Sequence, residues 1–556
     1  MIDYGSLPTQ PLPVLSDRPR PTSRLADDPP APESSLARAG GHVAIASMVS
    51  RATGFARTIV IAAVLGTAAV GDAYTGANAL PTMVYELVLG SVFASVAVPL
   101  LTRARRYGRT RSREFTQRVL VAAVLGLGAV TAAAVLCAPL IARLFVAGPD
   151  QRQLTTVFAY LLLPQIFFYG VAVVATAVLN VRDSFAAAAW APVVNNVIVL
   201  LTCAVFVLVP GPVTLTPASM TPAQILTLAV GTTAGIVGQA TWVLLALRRT
   251  GFRWSWRARP VPYTWRPVRA GLPVLGWILG YAAISQVGVA VTMRVAFDHG
   301  GVLIANCADL LFQVPYGILA VSMLTVLMPR ISRSAALGDR AAVIADLGRG
   351  ARYLTVALIP VSMAMALLGP VLAAVVFTGR VDAEAAHLIG AAVAASAFGL
   401  APFGLVMLQL RVFYAHNDTR TPTLINLAMV ATKVTVVAVS AGLLPDHAVV
   451  VMLSVASSAC YVVGAIAGHL LLRRRHGLLG FSAVAVTFTR AVWASAVAGW
   501  SCVAVMTLTY HALAGSAIAQ MLTLAAGTAV GAVVFVLAAK AIGIPEVGRA
   551  RALLPC

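Results

Sequence analysis

Charge is what this 556-residue sequence has least of: only 11% of its residues are Asp, Glu, Lys or Arg, against roughly a quarter in an ordinary soluble domain. A chain this poor in charge cannot wet the surface of a water-soluble fold of its size. Acids are scarcer still, 19 against 40 basic residues, and the bases are nearly all arginine, with Lys433 and Lys540 the only lysines. Cysteine usage is thin and scattered: Cys137, Cys203, Cys307, Cys460, Cys502 and Cys556 lie mostly inside apolar runs, with no CxxC, no HExxH and no close histidine pair. Disulfide frameworks and metal sites are therefore not expected. No segment alternates polar and apolar residues over the ten or so positions of a membrane strand, which excludes a barrel.

What is present is apolar length. Hydrophobic residues make up 59% of the chain and mean hydropathy is +0.88. The apolar runs are long enough to cross about 30 Å of hydrocarbon at 1.5 Å per residue. Fourteen spans are expected, at 41–66, 73–102, 117–146, 154–180, 186–209, 223–247, 270–297, 302–329, 352–377, 385–413, 422–443, 448–472, 483–511 and 515–540. The fold class is an all-α polytopic membrane protein with short connections. Residues 1–38, with eight prolines and no sustained apolar run, read as a disordered cytoplasmic tail, and 542–556 as a short second one.

The net charge of +21 does not point to nucleic acid, because the arginines gather in short loops. Six (Arg103 to Arg113) follow the second span and seven (Arg248 to Arg269) the sixth. Arg330, Arg333, Arg340 and Arg349 follow the eighth, and Arg473, Arg474 and Arg475 the twelfth. The alternate loops at 67–72, 210–222, 444–447 and 512–514 carry no Lys or Arg. Every basic loop follows an even-numbered span, so the excess of positive charge on the cytoplasmic side places both termini there.

An internal repeat organises the spans. Ser95-Val-Ala-Val-Pro99 through Arg103 recurs as Thr325-Val-Leu-Met-Pro329 through Arg333, and Pro192 and Asn196 recur at the same offset as Pro422 and Asn426. An even number of spans separates the copies, so the halves run parallel. Two six-helix lobes are expected, 39–250 and 251–475, with the last two spans (476–541) as an appendix. Such lobes can rock about a central site.

The chemistry sits in the first span, Ser50-Arg51-Ala-Thr-Gly54-Phe-Ala-Arg57. Each arginine costs roughly 2.5–3.5 kcal/mol to insert, and the pair lies about 9 Å apart along a helix and roughly 120° around it. A guanidinium stays charged at physiological pH and offers a planar fork of donors matched to phosphate oxygens. Snorkelling of Arg51, or its pairing with Glu86, is the competing structural reading. Asp72 opens the second span, where helix capping competes with a site role. Glu86 lies deeper in it, and Asp309 and Gln313 lie in the eighth. With the two arginines these are the substrate-binding candidates. Arg294, Lys433 and Arg490 are further candidates for cavity charges. Asn195, Asn196 and Asn426 are expected to hydrogen-bond between helices.

Arg51-Ala-Thr-Gly-Phe-Ala-Arg57, followed by Gly71-Asp72-Ala-Tyr, Leu80-Pro81 and Val98-Pro99, resembles the opening of the MurJ/MviN family, the lipid II flippases of peptidoglycan synthesis within the MOP exporter superfamily. Ala191-Pro192-Val-Val-Asn195-Asn196, Pro315-Tyr-Gly317 and Asp418-Thr-Arg-Thr-Pro422 extend the resemblance over about residues 40–540. It implies two lobes around a cationic cavity, two last helices forming a groove for a lipid tail, and cavity roles for Arg51, Arg57 and Asp72. It departs from proteobacterial members at two cavity arginines, which fall here on Tyr85 and Leu310. The implied activity is transport of an undecaprenyl-diphosphate-linked muropeptide across the plasma membrane by alternating access. That activity needs no covalent step and no cofactor, is driven by membrane potential or a cation, and works beside membrane lipids and cell-wall synthesis proteins. The relatives with a pseudokinase extension continue past the point where this sequence stops, at Cys556. Two alternatives stay open: an exporter of another lipid-linked oligosaccharide or of drugs, and a polytopic polyprenyl-phosphate glycosyltransferase. The second would need an acidic metal motif, and the only adjacent acids, Asp27-Asp28, lie in the tail.

Overall fold

A computed structural model of the chain describes residues 33–87, 109–181, 184–212, 214–251, 266–377, 380–477, 479–513 and 517–549. Among these every regular element is helical. Twelve helices are long and apolar enough to cross a membrane, thirteen when the bent third span is included. The expected second span is described only as far as residue 87, as a helix over Ala69–Tyr85.

The first six spans are α1 (Glu33–Leu65), α2 (Ala69–Tyr85), α3 (Arg109–Leu136) with α4 (Ala138–Phe145), α5 (Pro149–Leu162) with α6 (Gln165–Val181), α7 (Phe185–Leu208) and α8 (Pro222–Arg249). α1 begins at Glu33, inside the segment read as tail. The third span bends by 57° between α3 and α4, where Pro139 cannot donate back to the preceding turn. The next six are α9 (Arg266–Asp298), α10 (Val302–Pro315) with α11 (Val321–Ala336), α12 (Arg340–Val376), α13 (Ala383–Ser396) with α14 (Leu400–Ala415), α15 (Arg420–Leu443) and α16 (Asp446–His476). A π-helical turn, Tyr316–Ala320, joins α10 to α11. The last spans are α17 (Ser482–Leu513) and α18 (Ala517–Ala541), followed by a short α19 (Pro545–Arg549).

Packing repeats from one half to the other. α7 lies between α1 and α8 as α15 lies between α9 and α16. The same side chain ties each trio. Asn196 Nδ2 donates to the Ser50 carbonyl at 3.2 Å and to Thr53 Oγ1 at 3.0 Å. Asn426 Nδ2 donates to the Tyr281 carbonyl at 3.0 Å and to Ser285 Oγ at 2.9 Å. An amide can satisfy a carbonyl and a hydroxyl one turn apart without water, which is why it recurs between membrane helices. α17 and α18 pair with each other and lie against α12. Gly527 and Gly531 let α18 approach Cys502, and Gly499 lets α17 approach Leu367.

The chain runs from its arginine-rich end, the basic end, to the opposite or far end along α1, and returns along α2. At the basic end Asp418 accepts from Thr421 N at 3.0 Å and Thr421 Oγ1 at 2.6 Å, and pairs with Arg475 at 2.5 Å. Burial alone would raise its carboxyl, but these bonds outweigh it and hold Asp418 below its ordinary value. Glu546 of α19, buried, pairs with Arg352 at 2.8 Å and fastens that short helix to α12.

Candidate functional site

A membrane-crossing helix can turn polar side chains to protein or to a water-filled space, but not to lipid. On α10 the buried residues Leu303, Ile304, Cys307, Ala308, Leu311 and Phe312 belong to the core of the second lobe. Asn306, Asp309 and Gln313 are exposed, and their spacing of three and four puts them on one face. α10 also touches α1 and α2 of the first lobe, with Leu303 against Gly71 and Asp72, so the helix that carries this polar face stands at the seam between the lobes. Lys433 on α15 lies within electrostatic reach of Asp309, though no ion pair joins them.

Arg57 lies on α1, a helix that touches α10 of the second lobe, about 12 Å from its far end at 1.5 Å per residue. It is half-buried and has no ion-pair or hydrogen-bond partner among the described residues. Tyr74, Tyr169 and Cys203 lie within its electrostatic reach. Arg51, about 9 Å nearer the basic end, is exposed and lies against Gly317 of the π-turn in the opposite lobe. Glu86 does not pair with either arginine; its Oε2 accepts from Gln286 Nε2 of α9 at 2.9 Å. That bond borders a cavity of about 280 Å3 between the lobes, lined also by Ile278, Tyr281, Ser285, Tyr414 and Thr423.

The far end of the seam is closed. Asp72, 0% exposed, accepts the Leu303 N–H of α10 at 2.8 Å. The first turn of a helix has spare N–H groups and a positive dipole end, so an acid from one lobe caps a helix of the other. Arg380 donates its backbone N–H to the Ala63 carbonyl at 2.9 Å and its Nη1 to the Val64 carbonyl at 3.1 Å. Arg294 pairs with Asp298 at 3.0 Å and donates to the Phe145 carbonyl at 2.9 Å. Phe297 fills the space beside Gly76.

Of the sequence candidates, Arg51, Glu86 and Asp72 meet residues of the opposite lobe, Asp309 lies within reach of Lys433 and on one face with Gln313 in the second lobe, and Arg57 has its described neighbours in the first. Arg294 lies with Asp72 at the closed end. Arg490 is not brought to them; it donates to the Gly543 carbonyl at 3.0 Å, at the end of α18. At the two positions where the resemblance implied arginines, Tyr85 lies 5.7 Å from the Tyr169 ring and Leu310 is half-buried. The reading of the sequence passed over Gln286 and Arg380. An intramembrane glutamine opposite Glu86 was a visible signal, while nothing near Arg380 marks it as a cross-lobe donor.

Comparison with known proteins gives this arrangement a family. The lipid II flippase MurJ family model matches residues 61–526. A probable lipid II flippase MurJ of Rhizobium meliloti is 28% identical over 409 residues, 72% of this chain and 74% of that protein. The lipid II flippase MurJ of Burkholderia cenocepacia is 25% identical, over 69% of this chain and 74% of its own length. A solved lipid II flippase MurJ in an inward closed conformation shares the fold with a TM-score of 0.71 at 16% identity, covering 90% of this chain and 99% of that one. An inward-facing multidrug resistance MATE transporter of the MOP superfamily follows at 0.60 and 15%, covering 78% and 95%. A multi-pass helical chain whose two lobes meet along a charged seam, matched over most of its length by one family of transporters, belongs to the lipid II flippase MurJ family.

Proposed function

We propose that this chain carries lipid II, the undecaprenyl-diphosphate-linked muropeptide, from the cytoplasmic to the outer leaflet of the plasma membrane. The basic end is then cytoplasmic, with both termini on that side, as the distribution of arginine supports. Arg57 and Arg51 hold the diphosphate, Gln313 and Asp309 meet the polar headgroup, and Lys433 stands in for a cation that other members carry on the eighth span. Rocking of the lobes breaks the far-end closure around Asp72 and presents the headgroup outside. The reaction is a passage, not a covalent change, and calls for no cofactor. Membrane potential, worth ~2.3 kcal/mol per charge per 100 mV, is the proposed drive. Cell-wall synthesis proteins are the proposed neighbours.

The observation that carries this reading is Arg57: a permanent cation held within a membrane span, beside a seam, without a counter-ion among the described residues. A drug-cation exporter would place acids there. The test is depletion of the chain with complementation, scoring the leaflet in which lipid II accumulates. Arg57→Ala is expected to abolish rescue and leave lipid II inside, and Arg51→Ala to weaken rescue. Normal growth and outward lipid II with both variants at native expression would remove the binding roles.

A further inference from the structure

The cavity beside the Glu86–Gln286 bond is furnished for a neutral ligand rich in hydroxyl groups. α9 lines it with Tyr281, Ser285 and Gln286, α14 with Tyr414 and α15 with Thr423, while Glu86 borders it from the first lobe. Its hydrogen bonding is incomplete. Gln286 donates to Glu86, but its Oε1 is shut from solvent with no partner among the described residues. An amide oxygen left so costs free energy, and the side chain gains a bond by turning to a donor in the cavity it lines. Ser285 Oγ accepts from Asn426, and Thr423 Oγ1 donates to the Trp277 carbonyl. The first hydroxyl keeps a proton to give and the second keeps lone pairs to fill. Each tyrosine adds an apolar ring face and a polar tip. No described lining residue is a cation, and the Glu86 carboxylate repels phosphates and other acids. The volume, about 280 Å3, stands at the lower limit of ligand sites, roughly 300–1,000 Å3. It suits one substituted ring, not a whole muropeptide.

Position ties this cavity to the diphosphate. Tyr316 adjoins Gly317, which the Arg51 side chain reaches from the first lobe, and Tyr281 lies within electrostatic reach of both Tyr316 and Tyr414. A diphosphate held by Arg51 has the cavity as neighbouring polar space, and the group bonded to that diphosphate in the proposed substrate is a sugar. We propose that the cavity binds this sugar ring, with Tyr281 and Tyr414 against its faces and Glu86, Gln286 and Ser285 on its hydroxyl and acetamido groups. The assignment rests on the function proposed above and deepens it. Arginines read charge, which every lipid diphosphate carries, whereas the cavity reads the sugar, which a bare one lacks. A site built to hydrogen-bond a group rejects the analogue without it, because its own polar atoms are then left unpaired.

The experiment titrates the full chain with three ligands and reads binding by native mass spectrometry. The ligands are undecaprenyl diphosphate, undecaprenyl-diphosphate-linked N-acetylglucosamine, which adds a sugar without peptide, and lipid II. The parent is expected to bind both sugar-bearing ligands about tenfold more tightly than undecaprenyl diphosphate. Tyr281→Ala should reduce that preference about fivefold, as should Gln286→Met, which keeps the side chain's length and removes its amide. Both variants should bind undecaprenyl diphosphate as the parent does. Arg51→Ala should weaken all three ligands alike and keep the preference. A preference unaltered in both cavity variants overturns the proposal. So does one shown by lipid II and not by the sugar-only ligand, which would give the cavity to the peptide. Equal loss of all three ligands in Gln286→Met would mean packing alone and overturns it too. Should Tyr281→Ala not fold, Gln286→Met decides. If no diphosphate binds the parent, the transport reading fails, and the soluble disaccharide pentapeptide decides the cavity by itself. Binding that Gln286→Met removes keeps the sugar site; binding that is absent, or indifferent to that change, overturns it.

Discussion

The two ends of the lobe seam are built differently. At the far end, main-chain groups take part in every described polar link between the lobes: Asp72 to the Leu303 N–H, Arg380 to two carbonyls of α1, Arg294 to the Phe145 carbonyl. Nearer the basic end the links described are a side-chain bond, Glu86 to Gln286, beside a cavity, and a guanidinium resting on glycine. Backbone partners at helix ends cannot swing away, whereas side chains in a cavity can exchange one partner for another at small cost. The far end therefore holds the lobes together as a seal that rocking must break, and the deeper seam keeps its polar groups available.

The sharpest way to break this contrast is Asp72→Ala. Loss of a cap costs about 1 kcal/mol, so hydrogen exchange of the first amides of α10 should speed roughly fivefold, and the lobe ratio, closed to separated as read from the distance between spin labels at exposed Arg249 of α8 and Arg474 of α16, should rise as the far end loosens. Unchanged exchange at residues 302–304 would show that the seal does not lean on this acid. Gln286→Ala should do less. It removes one bond worth about 0.5 kcal/mol net, so the lobe ratio should move by less than about threefold; a shift as large as that of Asp72→Ala would erase the distinction between the two ends. Asp418→Asn, away from the seam, is the smallest and tests stability alone. Its carboxyl is held below its ordinary value, so its stabilisation is complete above about pH 4 and is lost as pH falls further. The parent's thermal midpoint should drop on acidification by a little more than the variant's, and equal drops would mean that the Thr421 and Arg475 bonds contribute nothing.

The spans were legible because hydrophobic length reports the solvent directly: the observed α7, α15 and α16 begin and end within a few residues of the expected runs. The repeat was legible because Asn196 and Asn426 do one job at one register. Arg51 and Arg57 stood out because charge is costly in hydrocarbon. The role of Asp72 could not be read in the same way. Asp72 meets a partner 231 positions away, and capping a neighbouring lobe leaves no local pattern. Arg490 carried the same signal of cost as Arg57, yet the Gly543 carbonyl satisfies it at a helix end.

The paired asparagine ties have a consequence for how such a carrier can diversify. Each lobe keeps its leading helix in register with one amide, and neither amide belongs to the charged side chains of the seam. Mutation can repaint those charges while the frame that moves them keeps its dimensions. What is carried and how it is carried are free to evolve separately.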